Sequence, residues 1–281
     1  MGLTLFHPWG GSVRFSHFLQ WRGPTGGHPP SRRSRGADGG EHTTADDWRS
    51  HPCWGNVAPL ELVNEEGRTF TRLVVVAAHP DDESLGAGGL IATAHDAGLF
   101  VYVVLLTAGE SYPHKRLGRH ALATLRLSEV RSAIGVLAPD APVVFLGATD
   151  GEVARYESEV ASSLTELIGD GSRTLVVAPW RRDGNDDHDA AGRAAADASR
   201  LSGARLVEYP LWAWYRLRPA EAPWAQMRRV SLNGRVREAK GRAIAAHVSQ
   251  VRAHPDDRTA ARLSQRVLAH YTGPVEHYLV E

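Results

Sequence analysis

Residues 73–89 read LVVVAAHPDDESLGAGG, an unbroken apolar run that stops at a cluster of polar side chains. The valine-rich part of this run, Leu73–Ala78, is typical of a strand that is buried on both faces of a sheet. Polar residues at the carboxyl end of such a strand lie where open α/β sheets bind their ligands. The stretch therefore predicts an α/β fold with a functional site that begins at His79.

The turn after this strand carries a candidate metal site. His79 and Asp82 place one imidazole and one carboxylate three residues apart, within reach of a single ion. Asp81 lies between them, and its carboxylate is left to act as a base. The alternative is a turn that only caps the following helix, with Asp82 or Ser84 accepting backbone N–H groups. The combination of these residues directly after a buried strand favours the functional interpretation.

Composition limits the class of protein. The chain has 281 residues, of which 42% are hydrophobic, enough for one substantial domain. Lys plus Arg and Asp plus Glu both total 32, and this balance argues against a nucleic-acid-binding protein. No apolar stretch approaches the roughly 20 residues that span a bilayer. The single cysteine, Cys53, excludes an intrachain disulfide and a cysteine-rich zinc site, and we expect a cytoplasmic protein.

The first 50 residues differ from the rest of the chain. They are rich in Gly, Pro, Arg, Ser and His and show no periodic apolar pattern. We predict a disordered extension at residues 1–50 and a single domain at residues 51–281. Pro8, Gly10 and Gly11 argue against a secretory signal. A transit peptide and a translation start further downstream are the alternatives.

After Ala78 the pattern alternates between strand and helix. Further strands are predicted at 100–106, 142–146, 174–178 and 205–209, and helices at 90–97, 121–137, 160–168 and 190–201. This repeated alternation predicts a Rossmann-like three-layer α/β fold with a mostly parallel central sheet and right-handed crossovers. Basic helices predicted at 235–253 and 259–271 would cover the end of the fold.

A third metal ligand is expected from another strand end. Two protein ligands are too few for a catalytic zinc, which usually takes three and a water. His188 follows the strand predicted at 174–178 and precedes an alanine-rich helix. The alternative is a solvent-exposed loop histidine. We predict that His79, Asp82 and His188 together hold the metal.

The sequence AHPDDE at 78–83, after a hydrophobic strand, resembles the signature of the PIG-L-type (LmbE-like) N-acetylglucosaminyl deacetylases, which are zinc enzymes. Further motifs of that family occur in order: TAGES at 107–111, RLSE at 126–129, LGATDG at 146–151 and HVSQ at 247–250. The resemblance covers most of residues 73–281. It implies that residues 51–281 form one deacetylase domain.

The second metal motif departs from that family. It usually reads His-Pro-Asp-His, whereas residues 185–188 read NDDH. The resemblance implies that His188 binds metal, because the ligand position is kept, and that Asn185 replaces the first histidine. Asparagine can donate a hydrogen bond to an oxyanion but cannot relay a proton, so we predict this catalytic role for Asn185. Nearby carboxylates either tune the site or cap the helix: Asp183, Asp186 and Asp189.

Three further residues are predicted to bind substrate. Arg126 and Asp150 are candidates for contacts with hydroxyl or phosphate groups, although Arg126 could equally pair with Glu129 on the helix surface. Trp212 belongs to the aromatic segment at 209–215, whose flat apolar faces suit sugar rings or acyl groups. Core packing is the alternative for this segment.

These features predict a zinc-dependent hydrolase that removes an N-acetyl or other acyl group from a small-molecule amino sugar or glycoconjugate. Zn²⁺, or another divalent ion, would bring the pKa of bound water to about 7. Asp81 would take the proton of that water. An amidase that acts on a thiol conjugate or another non-sugar amide is the alternative enzyme. A degenerate homologue that binds metal or sugar without turnover is the other class, and Asn185 is the feature that favours it.

Overall fold

The computed structural model describes residues 42–63, 66–111, 117–252 and 263–280, together with the backbone of two short strands. These strands, β1 (Thr4–Phe6) and β2 (Ser12–Arg14), pair antiparallel with each other. The rest of the predicted extension up to residue 41 lies outside the described residues.

A helix lies on the amino-terminal side of the predicted boundary at residue 50. Helix α1 (Ala45–Arg49) starts at Thr44, whose side chain caps it together with Asp47. Trp48 is buried, and its Nε1–H donates to the carbonyl of Trp214 at 2.7 Å. This segment therefore packs on the domain that follows it.

The remaining elements follow the predicted alternation and add two strands near the carboxyl terminus. The strands are β3 (Arg72–Ala77), β4 (Phe100–Leu105), β5 (Val143–Phe145), β6 (Thr174–Pro179), β7 (Arg205–Tyr209), β8 (Met227–Ser231) and β9 (Val275–Leu279). The helices are α2 (Asp82–Asp96), α3 (Arg119–Leu137), α4 (Glu157–Ile168), α5 (Asp186–Ser202), α6 (Ala213–Arg216), α7 (Gly234–Ala246), α8 (Val248–Val251) and α9 (Gln265–Leu268). No helix in the described ranges is long and apolar enough to cross a membrane.

The central sheet has seven strands in the order β5-β4-β3-β6-β7-β9-β8. Strands β3 to β7 run parallel, and β9 runs antiparallel to both β7 and β8. Alternate residues of β3 face opposite cores: Leu73 and Val75 pack with α2, α3 and α7, and Val74 and Val76 pack with α4 and α5. The predicted three-layer, mostly parallel α/β fold is confirmed.

The direction in which successive strands are added to the sheet reverses at β3, which makes β3 the topological switch point. The chain runs outward from β3 through β4 to β5 and then returns to β6 on the opposite side of β3. The loops that follow β3 and β6 therefore diverge at the point where this fold class binds ligands. His79 follows β3, and His188 lies just after β6, so the topology brings together two segments that are distant in sequence.

The carboxyl-terminal region differs from the prediction. The helix predicted at 235–253 ends at Ala246, and a separate turn, α8, follows. Of the helix predicted at 259–271, the described part contains only the short α9, and residues 253–262 lie outside it.

Strand β9 was not predicted from the sequence, because two of its buried side chains are polar. Glu276 accepts hydrogen bonds from Lys240 Nζ at 2.6 Å and from the backbone N–H groups of Gly89 and Leu90 at 2.6 and 2.8 Å. These donors compensate for the burial of the carboxylate. A run that contains Glu276 and His277 does not show the apolar pattern of a buried strand.

Candidate metal centre

The turn that leads from β3 into α2 has an unusual backbone. Asp81 has φ 115°, and it is the one non-glycine residue of the described ranges with a positive φ. Such a conformation costs on the order of 1–3 kcal/mol and persists only where its surroundings hold it. The carbonyl of Asp81 accepts from the N–H groups of Ser84 and Leu85, which begins α2. The side chain of Asp81 makes no capping hydrogen bond, so its carboxylate is not used to start the helix.

The three predicted metal ligands lie together and are buried. His79 Nδ1 lies 3.2 Å from His188 Nε2 and 3.6 Å from Asp82 Oδ2. His188 Nε2 lies 3.4 Å from Asp82 Oδ1. Ligand atoms about 2.0–2.1 Å from a tetrahedral zinc are separated by about 3.3 Å. The spacing of these donors therefore fits one small divalent cation.

Two carboxylates orient the histidine rings. Asp183 Oδ2 accepts from Nδ1–H of His188 at 2.7 Å, and Asp187 Oδ2 accepts from Nε2–H of His79 at 3.0 Å. In the neutral imidazoles that bind metal, these partners assign the tautomers and leave Nδ1 of His79 and Nε2 of His188 with lone pairs. A carboxylate behind a histidine is the usual support for a metal-ligating imidazole.

A second group of donors surrounds the other nitrogen of His79. Asp150 Oδ1 lies 3.3 Å from Nε2, and this atom, Asp187 and Nε2 could also hold an ion. The carboxylate of Asp187 already accepts from the N–H groups of Gly151 and Val153 at 2.7 and 3.0 Å. Both oxygens of Asp187 accept from backbone donors, whereas in Asp82 only Oδ2 does within the described part of the chain, from the N–H of His79 at 2.8 Å. Because the second group also has only one imidazole, the pair of histidines with Asp82 is the better candidate metal site.

The electrostatics of the cluster suit cation binding. Burial lowers the pKa of His188, but Asp82 and Asp183 outweigh it and raise this pKa to about 9. Burial also lowers the pKa of His79, and hydrogen bonds to Asp150, Asp187 and Asp82 raise it well above its ordinary value. Burial raises the pKa of Asp82, and the two histidines hold it far below its usual range. The metal-free cluster therefore carries protons that a divalent cation would displace.

Asn185 is the N-cap of α5. Its Oδ1 accepts from the N–H groups of Asp187 and His188 at 2.9 and 3.3 Å. Asp189, a predicted cap, instead accepts from the N–H of Gly184 at 2.9 Å. The capping bonds fix the amide oxygen of Asn185 and leave Nδ2 as the atom that could donate to a substrate.

Arg126 and Asp150, two of the predicted substrate-binding residues, contact the loop after β4. Arg126 is buried, and its Nη1 donates to the carbonyl of Gly109 at 2.5 Å. Asp150 Oδ2 accepts from the N–H of Ser111 at 2.8 Å. Glu129, the alternative partner of Arg126, is also buried and accepts from Ser249, so the interpretation of a surface pair was wrong.

Trp212 lies at the surface beside the metal cluster. The residue is 36% exposed, which is more than a core residue would show. Its backbone N–H donates to Asp183 Oδ2 at 2.9 Å, the same oxygen that accepts from His188. The backbone of an exposed aromatic residue therefore hydrogen-bonds to Asp183, the carboxylate that orients the candidate metal ligand His188.

Glu83 and His247 form a contact that the sequence reasoning missed. Glu83 ends the AHPDDE motif and had no predicted role. His247 begins the HVSQ motif, and a place near the site and a role in helix packing were both open for it. The structure places His247 Nε2 3.0 Å from Glu83 Oε1, and both side chains are buried.

Sequence comparison matches residues 74–199 to the PIG-L family, described as GlcNAc-PI de-N-acetylase. A diacetylchitobiose deacetylase from Thermococcus kodakarensis is 28% identical over 145 residues, 50% of this chain and 54% of that protein. A 1D-myo-inositol 2-acetamido-2-deoxy-α-D-glucopyranoside deacetylase from Kineococcus radiotolerans is 34% identical over 161 residues, 53% of this chain and 38% of that protein. The match thus spans about half or less of each relative.

The fold has solved counterparts. The N,N'-diacetylchitobiose deacetylase from Pyrococcus horikoshii superposes with a TM-score of 0.52 at 21% identity, over 66% of this chain and 72% of that one. This likeness shows a shared α/β fold. The family match at 74–199 includes both loops that carry the candidate metal ligands.

Proposed function

We propose that the chain, whose residues 74–199 match the PIG-L family, is a metal-dependent hydrolase that removes the N-acetyl group of an amino sugar or glycoconjugate. The observation that carries this proposal is the convergence of His79, Asp82 and His188 on one point, next to Asp81. A set of two histidines and one carboxylate is a common catalytic zinc site, and it leaves a coordination position for water.

His79 Nδ1, Asp82 and His188 Nε2 would hold the cation. A divalent ion held there, Zn²⁺ or another, would act as a Lewis acid that polarises an amide carbonyl and would bring the pKa of water to about 7. The chain's own contribution is to fix the ligands, because Asp183 and Asp187 hold both imidazole rings.

Asp81 is the proposed general base. It adjoins the ligand Asp82, and its side chain does not cap α2. Asp81 would take a proton from the attacking water as the water oxygen adds to the amide carbonyl carbon. It would then give this proton to the departing nitrogen as the C–N bond breaks. The products are a carboxylate, which is acetate for an N-acetyl substrate, and a free amine.

Asn185 is the proposed donor to the oxyanion. Its Oδ1 is fixed by the cap of α5, and this leaves the Nδ2 amide as a preorganised donor at the start of the helix that carries His188. Preorganisation matters because a donor that need not move at the moment of reaction stabilises the developing charge most.

Trp212 and Asp150 are the proposed substrate contacts nearest to the metal cluster. The exposed ring of Trp212 offers a flat face for a sugar or acyl group. Asp150, which is next to His79, could accept a hydrogen bond from a sugar hydroxyl. Arg126 is buried against Gly109, and we propose that it contributes to substrate binding by holding the loop after β4.

Acetate release from metal-defined protein tests the proposal. The protein is stripped with a chelator, reloaded with Zn²⁺ and incubated with N,N'-diacetylchitobiose, an N-acetylglucosaminyl inositol and simple non-sugar N-acetyl amides. We expect acetate from an N-acetylated sugar, loss of release with chelator and recovery with metal. A loaded protein that cleaves none of these sugars would contradict the proposal. Cleavage of the non-sugar amides alone would support metal-dependent amide hydrolysis but would show that the substrate is not an amino sugar.

A further inference from the structure

A buried chain of hydrogen bonds joins the segment after α7 to the backbone of Asp81. Glu83 Oε2 accepts from the N–H of Asp81 at 3.1 Å. Glu83 Oε1 accepts from Ser84 Oγ at 2.7 Å and from His247 Nε2 at 3.0 Å. These three side chains are at most 1% exposed, so water does not compete for the contacts.

A second contact reaches the same peptide group from the opposite end. Nε2 of Gln250, which is fully buried, donates to the carbonyl of Pro80 at 2.5 Å. The carbonyl of Pro80 and the N–H of Asp81 belong to one planar unit, the Pro80–Asp81 peptide. His247 and Gln250 thus act on its two ends, His247 through Glu83 and Gln250 directly.

The orientation of that peptide sets the backbone of the proposed base. Rotation of the plane changes φ of Asp81, which stands at 115°, in the region that residues with a side chain avoid. Relaxation to a negative φ would turn the N–H of Asp81 away from Glu83 and the carbonyl of Pro80 away from Gln250. It would also redirect the Cα–Cβ bond of Asp81, and with it the carboxylate.

We propose that Glu83, His247 and Gln250 are positioning residues. They hold the Pro80–Asp81 peptide in its observed orientation and thereby direct the carboxylate of Asp81 toward the attacking water. This inference rests on the proposed function of Asp81 as the base. None of the three residues belongs to the candidate ligand set. Their role is therefore to set the geometry of proton transfer and not to bind metal.

Variants of His247 and Gln250 test the inference. His247→Ala removes the donor to Glu83, and Gln250→Met removes the donor to Pro80 while it keeps the length of the side chain. We expect kcat to fall about 10–100-fold, because small misplacements of reacting groups have effects of this size. KM and the molar ratio of bound Zn²⁺ should stay at wild-type values. His247→Gln, whose amide nitrogen replaces Nε2–H, should recover most of the lost kcat.

Ser249→Ala is the matched control. Ser249 lies in α8, between His247 and Gln250, and also hydrogen-bonds to a buried carboxylate. Its contacts at 2.7 Å go to Glu129 on α3 and not to the turn that contains Asp81. We expect a lower melting temperature with kcat close to wild type. A Ser249→Ala variant that loses as much kcat as His247→Ala would overturn the inference, because the loss would then follow general loosening of the helix.

The other possible results distinguish a failure of this inference from a failure of the proposed function. Wild-type kcat in both His247→Ala and Gln250→Met, with an active wild-type enzyme, would overturn only the positioning role. Loss of kcat in parallel with loss of zinc would also overturn it, because the residues would then support the ligands. A wild-type protein that is loaded with Zn²⁺ and cleaves no N-acetylated substrate would overturn the proposed function itself.

Discussion

Asp183 accepts a hydrogen bond from Nδ1 of His188 at 2.7 Å, while the backbone N–H groups of residues 211–213 hold both of its oxygens at 2.8–2.9 Å. The carboxylate therefore cannot rotate away from the ring. We predict that Asp183→Asn lowers zinc affinity about 10–100-fold, because a neutral amide orients the imidazole less well and lowers its basicity. Competition with a chromophoric chelator measures this affinity.

Asp189→Asn is the control for Asp183→Asn, since Asp189 lies in the same segment and holds the N–H of Gly184. Its zinc affinity should stay within a few-fold of wild type. Equal affinities for wild type and Asp183→Asn would show that Asp183 supports the loop and does not tune the ligand.

Asp81→Asn should keep the metal and lose turnover. The amide has the shape of the carboxylate but cannot take a proton from water, so we expect kcat to fall about 10²–10⁴-fold. Zinc content by elemental analysis and the rate of acetate release are measured on the same preparation. Full turnover with metal in place would remove Asp81 from the role of base.

Asn185→Ser separates capping from catalysis. Serine is about as good an N-cap as asparagine, so stability should change by no more than a few tenths of a kcal/mol. Serine lacks the amide that would reach the oxyanion, and we expect kcat to fall on the order of 100-fold. Unchanged kcat, at unchanged melting temperature, would mean that Asn185 only caps α5.

The buried side chain of His277 should make the stability of the protein depend on pH. Burial, with a further contribution from Arg229, lowers the pKa of His277 to about 4, although Nε2–H donates to the carbonyl of Trp54 at 3.1 Å. The unfolded chain, with a pKa near 6.5, binds this proton more readily than the folded protein does. The contribution of His277 to the free energy of unfolding should therefore fall by about 2–3 kcal/mol as pH drops from 7 to 4.5.

His277→Gln isolates this contribution, because glutamine can still donate to Trp54 but does not titrate in this range. Denaturant unfolding at pH 7 and 4.5 should show a smaller acid loss for the variant than for wild type. Parallel losses in the two proteins would mean that His277 does not govern the acid response.

The five parallel strands β3 to β7, the sheet type and the candidate metal ligands could be predicted from the sequence for physical reasons. The run before His79 is continuously apolar because β3 is buried on both faces, and the strand–helix alternation follows from a parallel sheet. His79 and Asp82 are close in sequence. His188 could be predicted from the need for a third ligand, and the topological switch at β3 explains why it lies near the other two.

The supporting contacts could not be predicted in the same way. Asp150, in the loop after β5, and Asp187, in the first turn of α5, approach one nitrogen of His79, and no periodicity specifies that approach. The contact of Glu83 with His247 joins residues that are 164 positions apart in sequence. Asn185 was predicted to donate to an oxyanion through its amide nitrogen. That its oxygen also caps α5 depends on where the helix begins, which the sequence did not specify.

The position of a bound ion tests the central claim most directly. Crystals soaked in Zn²⁺ and measured at the zinc absorption edge give its position independently of any activity. We predict one strong anomalous peak about 2.0–2.2 Å from His79 Nδ1, an Asp82 oxygen and His188 Nε2. A peak on the Nε2 side of His79, between Asp150 and Asp187, or no peak within bonding distance of His188, would contradict the account.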